Sequence, residues 1–490
     1  MALNFSRRQW LTLIVIGIAD FCNAICVSLQ APFYPQEAEK KGATATEYGL
    51  VFGVFELVVF IISPVYGKYL NRIGPKVLFN AGIFTTGTCA ILFGFLERID
   101  DHIPFIALSF IIRIVEALGN AAFLTASFAI IAREFPDNVA TTFASLETFF
   151  GLGLIVGPTL GGALYSVGGY TTPFAVLGSA LFLAAVMTAL VLPKQTSESD
   201  VTDQGSSMVS LLRIPAVIVC ALSIAATSVS IGFLSATLEP HLRQFELSPI
   251  VLGMMFIVNG GTYALTAPVW GWLCDRGLRP KTASLAGCIL VASGFSLVGP
   301  LPFLPYTSSL TTIIIGLVIH GLGISAQLVA SFTDALNTSV ARGLPNNIET
   351  YGLVSGLWTS TFALGAFVGP SVSGALFDSI GFRNSTLFVI GLHGFVAITL
   401  IVFLCLERKQ GPYKEIPPSA CRSTTSLLLN ESGSTRSLKQ LIAGNITIDG
   451  TPQSRPGGMN SLLACNSVNS YKNLQGQWAR RDRSMYTPHH

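Results

Sequence analysis

Six carboxylates fall within or at the ends of long apolar runs in this chain: Asp20, Glu56, Glu116, Glu147, Glu239 and Asp334. The same runs hold one arginine, Arg113, and two histidines, His320 and His393. A charge placed at bilayer depth costs about 2.5–3.5 kcal/mol on insertion scales, so such residues persist where they do work. Acids that outnumber bases make an interior that prefers cations, and a carboxyl can trade a bound cation for a proton.

Helical spacing sorts these groups. Arg113, Glu116, Asn120 and Ser127 follow at steps of three, four and seven, so they share one helix face, and Arg113 and Glu116 can pair across a turn. That pair either compensates itself or serves a substrate or proton directly. His320, Gln327, Ser331 and Asp334 share a second face, on which His320 is either a hydrogen-bonded packing residue or a proton relay. Ser228, Gly232, Ser235 and Glu239 share a third, which ends in ATLEPHL. Pro240 is expected to break the helix there and free backbone carbonyls, which makes Glu239 either an interfacial acid or a proton-coupling group. Asp20 has no basic residue in its own run, so its balancing cation comes from elsewhere or is itself the substrate. Glu147, near the start of the fifth run, stands with Asp20 and Glu116 as a candidate cation ligand. Tyr263 and Trp358 offer ring faces for cation–π contact with an ammonium group.

Membrane helices must carry these faces. Only 11% of the 490 residues are charged and 51% are hydrophobic, whereas ordinary soluble domains carry about a quarter charged residues. Apolar stretches of spanning length lie at 9–31, 46–66, 77–96, 104–131, 141–167, 173–192, 215–238, 250–272, 282–304, 310–336, 350–377 and 386–405. The expected fold is an all-α membrane protein of twelve transmembrane helices. Residues 1–193 form one six-helix bundle, 194–214 a linker, 215–406 a second six-helix bundle, and 407–490 a Ser-, Asn- and Gly-rich disordered tail. The net charge of +3 is too small and dispersed to indicate nucleic-acid binding. Of the nine cysteines, Cys274 is expected in a short loop, Cys421 and Cys465 in the tail and the others in apolar runs. They offer neither a disulfide framework nor zinc spacing, so no metal or other cofactor is expected. No nucleotide-binding loop or hydrolase elbow appears, and no enzyme is expected.

Two repeats relate the halves. GLGLIVGPTLGGALYSVGGY (151–170) recurs as ALGAFVGPSVSGALFDSIGF (363–382), so that Gly157 and Pro158 return 212 positions later as Gly369 and Pro370. Missing side chains at these glycines are expected to let neighbouring helices approach closely. The basic stretches GKYLNRIGPK, with Gly67, Asn71 and Arg72, and GWLCDRGLRPK, with Asp275 and Arg276, are offset by about 204. Basic residues concentrate at this end, with Arg7 and Arg8 before the first run, which predicts cytosolic termini and a lipid-embedded body.

These paired motifs resemble the major facilitator superfamily, over roughly residues 9–405. The resemblance implies that polar and charged residues of the two loops, Asn71, Arg72, Asp275 and Arg276, latch helix ends in one conformation. Asn71 departs from the pattern by standing where the family usually has Asp. The acid in the first run, Leu238 to Pro240, PFYPQEAEKKGA (32–43) and SLETFFGLGLIVGP (145–158) look most like the vesicular polyamine branch of the vesicular amine transporters. What this implies is proton-coupled antiport of an organic cation, a polyamine or related amine, from cytosol into acidic secretory or synaptic vesicles by alternating access. Asp20, Glu147 and Glu116 would then bind the amine, and Glu239, Asp334 and His320 would handle protons. A broad-specificity drug/proton antiporter and a non-transporting amine receptor are the competing expectations. YKEI at Tyr413 to Ile416 is a candidate signal for sorting adaptors.

Overall fold

The computed structural model describes residues 5–191, 207–247, 249–300 and 309–409. Most of the expected linker and tail, with Tyr413 to Ile416, Cys421 and Cys465, lies outside the described residues. Twelve long helices make up the body: α1 (Arg7–Lys40), α2 (Ala45–Ile73), α3 (Pro75–Gly94), α4 (His102–Glu134), α5 (Val139–Gly168), α6 (Thr171–Val191), α7 (Pro215–Leu242), α8 (Pro249–Asp275), α9 (Pro280–Val298), α10 (Leu310–Ala341), α11 (Ile348–Ile380) and α12 (Phe382–Lys409). Each has a stretch apolar enough to cross a membrane. A short helix, Met208–Leu212, precedes α7.

Local chemistry fixes many of the ends. Ser6 and Thr44 cap α1 and α2 in reciprocal boxes with Gln9 and Glu47, which satisfies amides that the first turn leaves without partners. Pro75, Pro215 and Pro280 open α3, α7 and α9, at a position where a missing amide hydrogen costs nothing. Gly169 and Gly381 end α5 and α11 at φ of 75° and 76°, a conformation closed to most other residues. The first helix extends well beyond the expected 9–31, because the polar continuation to Lys40 stays helical beyond the apolar stretch.

The packing repeats between halves. α5 lies on α1 and α11 lies on α7, and these two contacts use the repeated glycines. A side chain at Gly153 would place its Cβ 2.6 Å from the Phe21 carbonyl oxygen, and one at Gly365 would meet the Ala225 carbonyl oxygen at 2.6 Å. Gly157 abuts Ser28 and Ile25, whereas Gly369 abuts Val229 and Gly232. The first six helices meet the last six mainly through α2 with α11 and α5 with α8. Exposed apolar residues such as Ile61, Phe84, Leu183, Ile289 and Ile398 face outward, as a lipid-covered surface requires.

Candidate functional site

α1 brings Asp20, Asn23 and Gln30 to one face, and all three are buried. Asp20 is 1% exposed, and its Oδ1 has no hydrogen-bond partner among the described residues. The charged group that acts on it is another acid, Glu147. Glu147 lies in the third turn of α5, deeper than its expected place near the helix start, and accepts a hydrogen bond from the Tyr263 hydroxyl of α8. Two buried carboxylates thus lie within electrostatic reach of each other, and a tyrosine from the other half of the chain reaches one of them.

The α4 face meets α1 and α2. Glu116 pairs with Arg113 at 2.9 Å and accepts two hydrogen bonds from Gln30 Nε2, each 2.8 Å long. Asn23 donates to Asn120 at 2.8 Å. The Arg113 guanidinium lies 4.2 Å from the Phe55 ring centre. Glu116 is therefore compensated, unlike Asp20.

The α10 face forms a buried polar seam against α7, α8 and α9. His320 is held from both ring nitrogens, by Ser230 at 3.1 Å and by Asn259 at 2.8 Å. Gln327 donates to Ser223 and Cys288. Asp334 pairs with Lys281 at 2.9 Å and accepts from the Cys220 thiol at 3.1 Å. Lys281, expected in a loop, is the second residue of α9 and is buried, so Arg113 is not the sole cation within these helices. Cys274 likewise lies in the last turn of α8 instead of in a loop.

Two other expectations are corrected by geometry. Pro240 does not break α7, which continues to Leu242 before a 3₁₀ turn, and Glu239 forms a two-point pair with Arg243 at 2.8 Å for both bonds. With that carboxylate 37% exposed, the premise of a sequestered acid beside freed carbonyls fails. On the same face of α7, Ser228 and Gly232 pack on α11, where Ser228 donates to the Phe362 carbonyl and Gly232 touches Pro370. Trp358 is buried among Phe128, Phe143 and Phe362, and Phe143 stacks on Phe332 at 4.2 Å. This aromatic layer joins α4, α5, α10 and α11, so Trp358 serves packing between halves. No spacing in the sequence announces it, because its members come from four separate helices.

At the basic end the halves touch through backbone. A Cβ at Gly67 would fall 2.5 Å from the Gly352 carbonyl oxygen, and one at Gly271 would fall 2.5 Å from that of Ala140. Asp275 accepts the amides of Ala140 and Thr141 at 3.2 and 2.8 Å, capping α5, whose own Asn138 supplies no side-chain cap. At the equivalent place in the first half stands Asn71, and α11 is capped by its own Asn347. Arg72 and Arg276 lie over the rings of Tyr69 and Trp272.

The sequence pattern of the Major Facilitator Superfamily matches residues 16–238 and again 218–442. The chain belongs to this superfamily. MFS-type transporter SLC18B1 of Homo sapiens is 38% identical over 435 residues, covering 87% of this chain and 94% of that protein. The chromaffin granule amine transporter of Rattus norvegicus is 26% identical, covering 77% of this chain and 70% of its own length. The solved structure of the human organic anion transporter MFSD10 (TETRAN) superposes with a TM-score of 0.64 at 18% identity, over 80% of this chain and 99% of that one, which shows the fold. The chain is thus a multi-pass membrane transporter of this superfamily, related to amine carriers and not an enzyme.

Proposed function

We propose that the chain is a proton-coupled antiporter that moves organic cations, polyamines or related amines, from cytosol into acidic secretory or synaptic vesicles. One observation carries the reading: Asp20 is buried within electrostatic reach of Glu147 with Oδ1 unpartnered, and neither acid forms an ion pair among the described residues. Two such carboxylates without a cation are costly unless something neutralises them. An ammonium group can do so, and so can protons, but the two compete for the same oxygens. That competition is what exchange requires.

On this reading the bundles 1–193 and 215–406 rock about the site, and the basic residues place both termini in the cytosol. The structure is closed at the basic end by Gly67 with Gly352, by Gly271 with Ala140 and by the Asp275 cap. Protons from the lumen displace the amine from Asp20 and Glu147, and the protonated carrier returns. Each unit of pH difference supplies about 1.4 kcal/mol per proton, a factor of ten in concentration. The chromaffin granule amine transporter among the relatives is in keeping with an amine cargo. Sorting adaptors would act through Tyr413 to Ile416.

Uptake of labelled spermidine into proteoliposomes with an acidic interior tests the reading. Accumulation that collapses when the gradient is dissipated is expected. Equal uptake of unrelated cationic dyes would favour the drug antiporter, and binding without uptake the receptor.

A further inference from the structure

The structure assigns Glu56 of α2 to a second ammonium subsite, separate from Asp20 and Glu147, which makes the site selective for amines charged at both ends. This rests on the amine reading above. Glu56, Phe60, Ser63 and Gly67 follow at steps of four, three and four and share one face of α2. That face looks onto α11: the Phe60 carbonyl accepts from Ser360 at 2.7 Å, Ser63 meets Gly356, and Gly67 meets Gly352. On the other side of Glu56, Gly53 faces Phe367. Glu56 thus points between α2 and α11, away from the lipid-facing stripe of Leu50, Leu57 and Ile61.

Among the described residues Glu56 is half-buried and makes no hydrogen bond or ion pair. Its charged neighbour is Arg113, and that guanidinium is already bound to Glu116 and seated over Phe55. Glu56 and Glu116 therefore share one guanidinium, which leaves one negative charge uncompensated there when both are ionised, and Asp20 and Glu147 carry two more. The independent sign that this interior expects a ligand is the unpartnered Oδ1 of fully enclosed Asp20.

Separation then selects the ligand. Gln30, which reaches Glu116, follows Asp20 by ten residues on α1, about 15 Å along the helix at roughly 1.5 Å per residue. Glu56 stands beside that cluster. Spermidine carries three ammonium groups over about 11 Å of extended chain, at roughly 1.2 Å per bond, and two flexible acid side chains make up the remainder. One end would meet Asp20 and Glu147, the other Glu56. An amine with a single charge reaches the first subsite alone.

The test measures inhibition of labelled spermidine uptake in proteoliposomes by unlabelled spermidine and by butylamine, for wild type, Glu56→Gln and Glu56→Asp. Glu56→Gln should weaken spermidine about tenfold, the scale of one charge-assisted hydrogen bond, with butylamine unchanged and Glu56→Asp partly restoring spermidine. Unchanged spermidine affinity, or an equal loss for both amines, overturns the subsite while wild-type preference for spermidine leaves the amine reading standing. A wild-type carrier that does not distinguish the two amines overturns the polyamine reading and the subsite together.

Discussion

Asp275 at the end of α8 accepts the backbone amide of Thr141 at 2.8 Å, so a carboxylate of the second half caps the first turn of a helix in the first. The bond is possible because Gly271, one turn earlier, lets α8 lie against the Ala140 carbonyl. Its geometry ties helix capping, a local stability term, to closure of the basic end.

Replacing Asp275 by Ala should therefore open that end. Loss of a side-chain cap costs about 0.5–2 kcal/mol, enough to shift a two-state balance by about tenfold. Cys274, 9% exposed and adjacent to the cap, reports the change. In a background with the other cysteines replaced by Ser, a membrane-impermeant maleimide applied from the basic side should label Cys274 faster in Asp275→Ala. Equal labelling rates would show that the cap does not hold the end closed.

The repeated glycines yield a second outcome with an internal control. Gly157→Val and Gly369→Val should each destabilise the protein and slow transport, because Gly157 abuts Ser28 and Ile25 and Gly369 abuts Val229 and Gly232. Overpacking of this kind costs about 1–3 kcal/mol. Gly162 and Gly374, equally paired by the repeat, have nothing within 4 Å of a would-be Cβ, so Gly162→Ala and Gly374→Ala should be tolerated. Thermal unfolding in detergent separates the two pairs, and tolerance of valine at 157 and 369 would disprove close packing there.

Asp20→Asn should weaken spermidine binding by about ten- to a hundredfold, the range for a hydrogen bond to a charged group. The amide keeps the volume of a residue packed at 1% exposure, so the unfolding temperature should hold. Unaltered binding in this variant would make Asp20 a structural residue.

What the sequence showed plainly was periodic and paired. Helices, the glycine repeat and the faces of α4 and α10 follow from spacing along one chain, and the structure buries Arg113, Glu116 and His320 together with their face-mates Asn120 and Gln327. What it hid was partnership. Nothing near Lys281 signals that α9 will carry it onto Asp334, 53 residues later, and nothing near Tyr263 points to Glu147, 116 residues earlier. Glu239 failed for a related reason. The ATLEPHL stretch reads as a helix end, but a proline two residues before the last residue of the helix need not cut it, and Arg243, four residues after Glu239, supplies a partner that spacing alone allowed.

The contrast between Glu147 and Glu239 sets the last prediction. Glu239 has a bidentate arginine partner and an exposed position, so its charge is balanced whether or not a substrate is present. Glu147 is enclosed, lies within electrostatic reach of Asp20, and is linked by Tyr263 to α8, so gaining a proton there changes both the cation site and a contact between halves. Glu147→Gln fixes the neutral form and should abolish gradient-driven accumulation, while exchange of internal for external spermidine, which needs no proton to come and go, continues through Asp20. Glu239→Gln should leave both processes within about twofold of wild type, as expected for an exposed pair worth under about 1 kcal/mol. Tyr263→Phe removes only the hydroxyl and should slow accumulation without abolishing it. Counterflow and gradient-driven uptake in the same proteoliposomes read all three variants, and full accumulation by Glu147→Gln, or its loss in Glu239→Gln, would move the coupling site to α7.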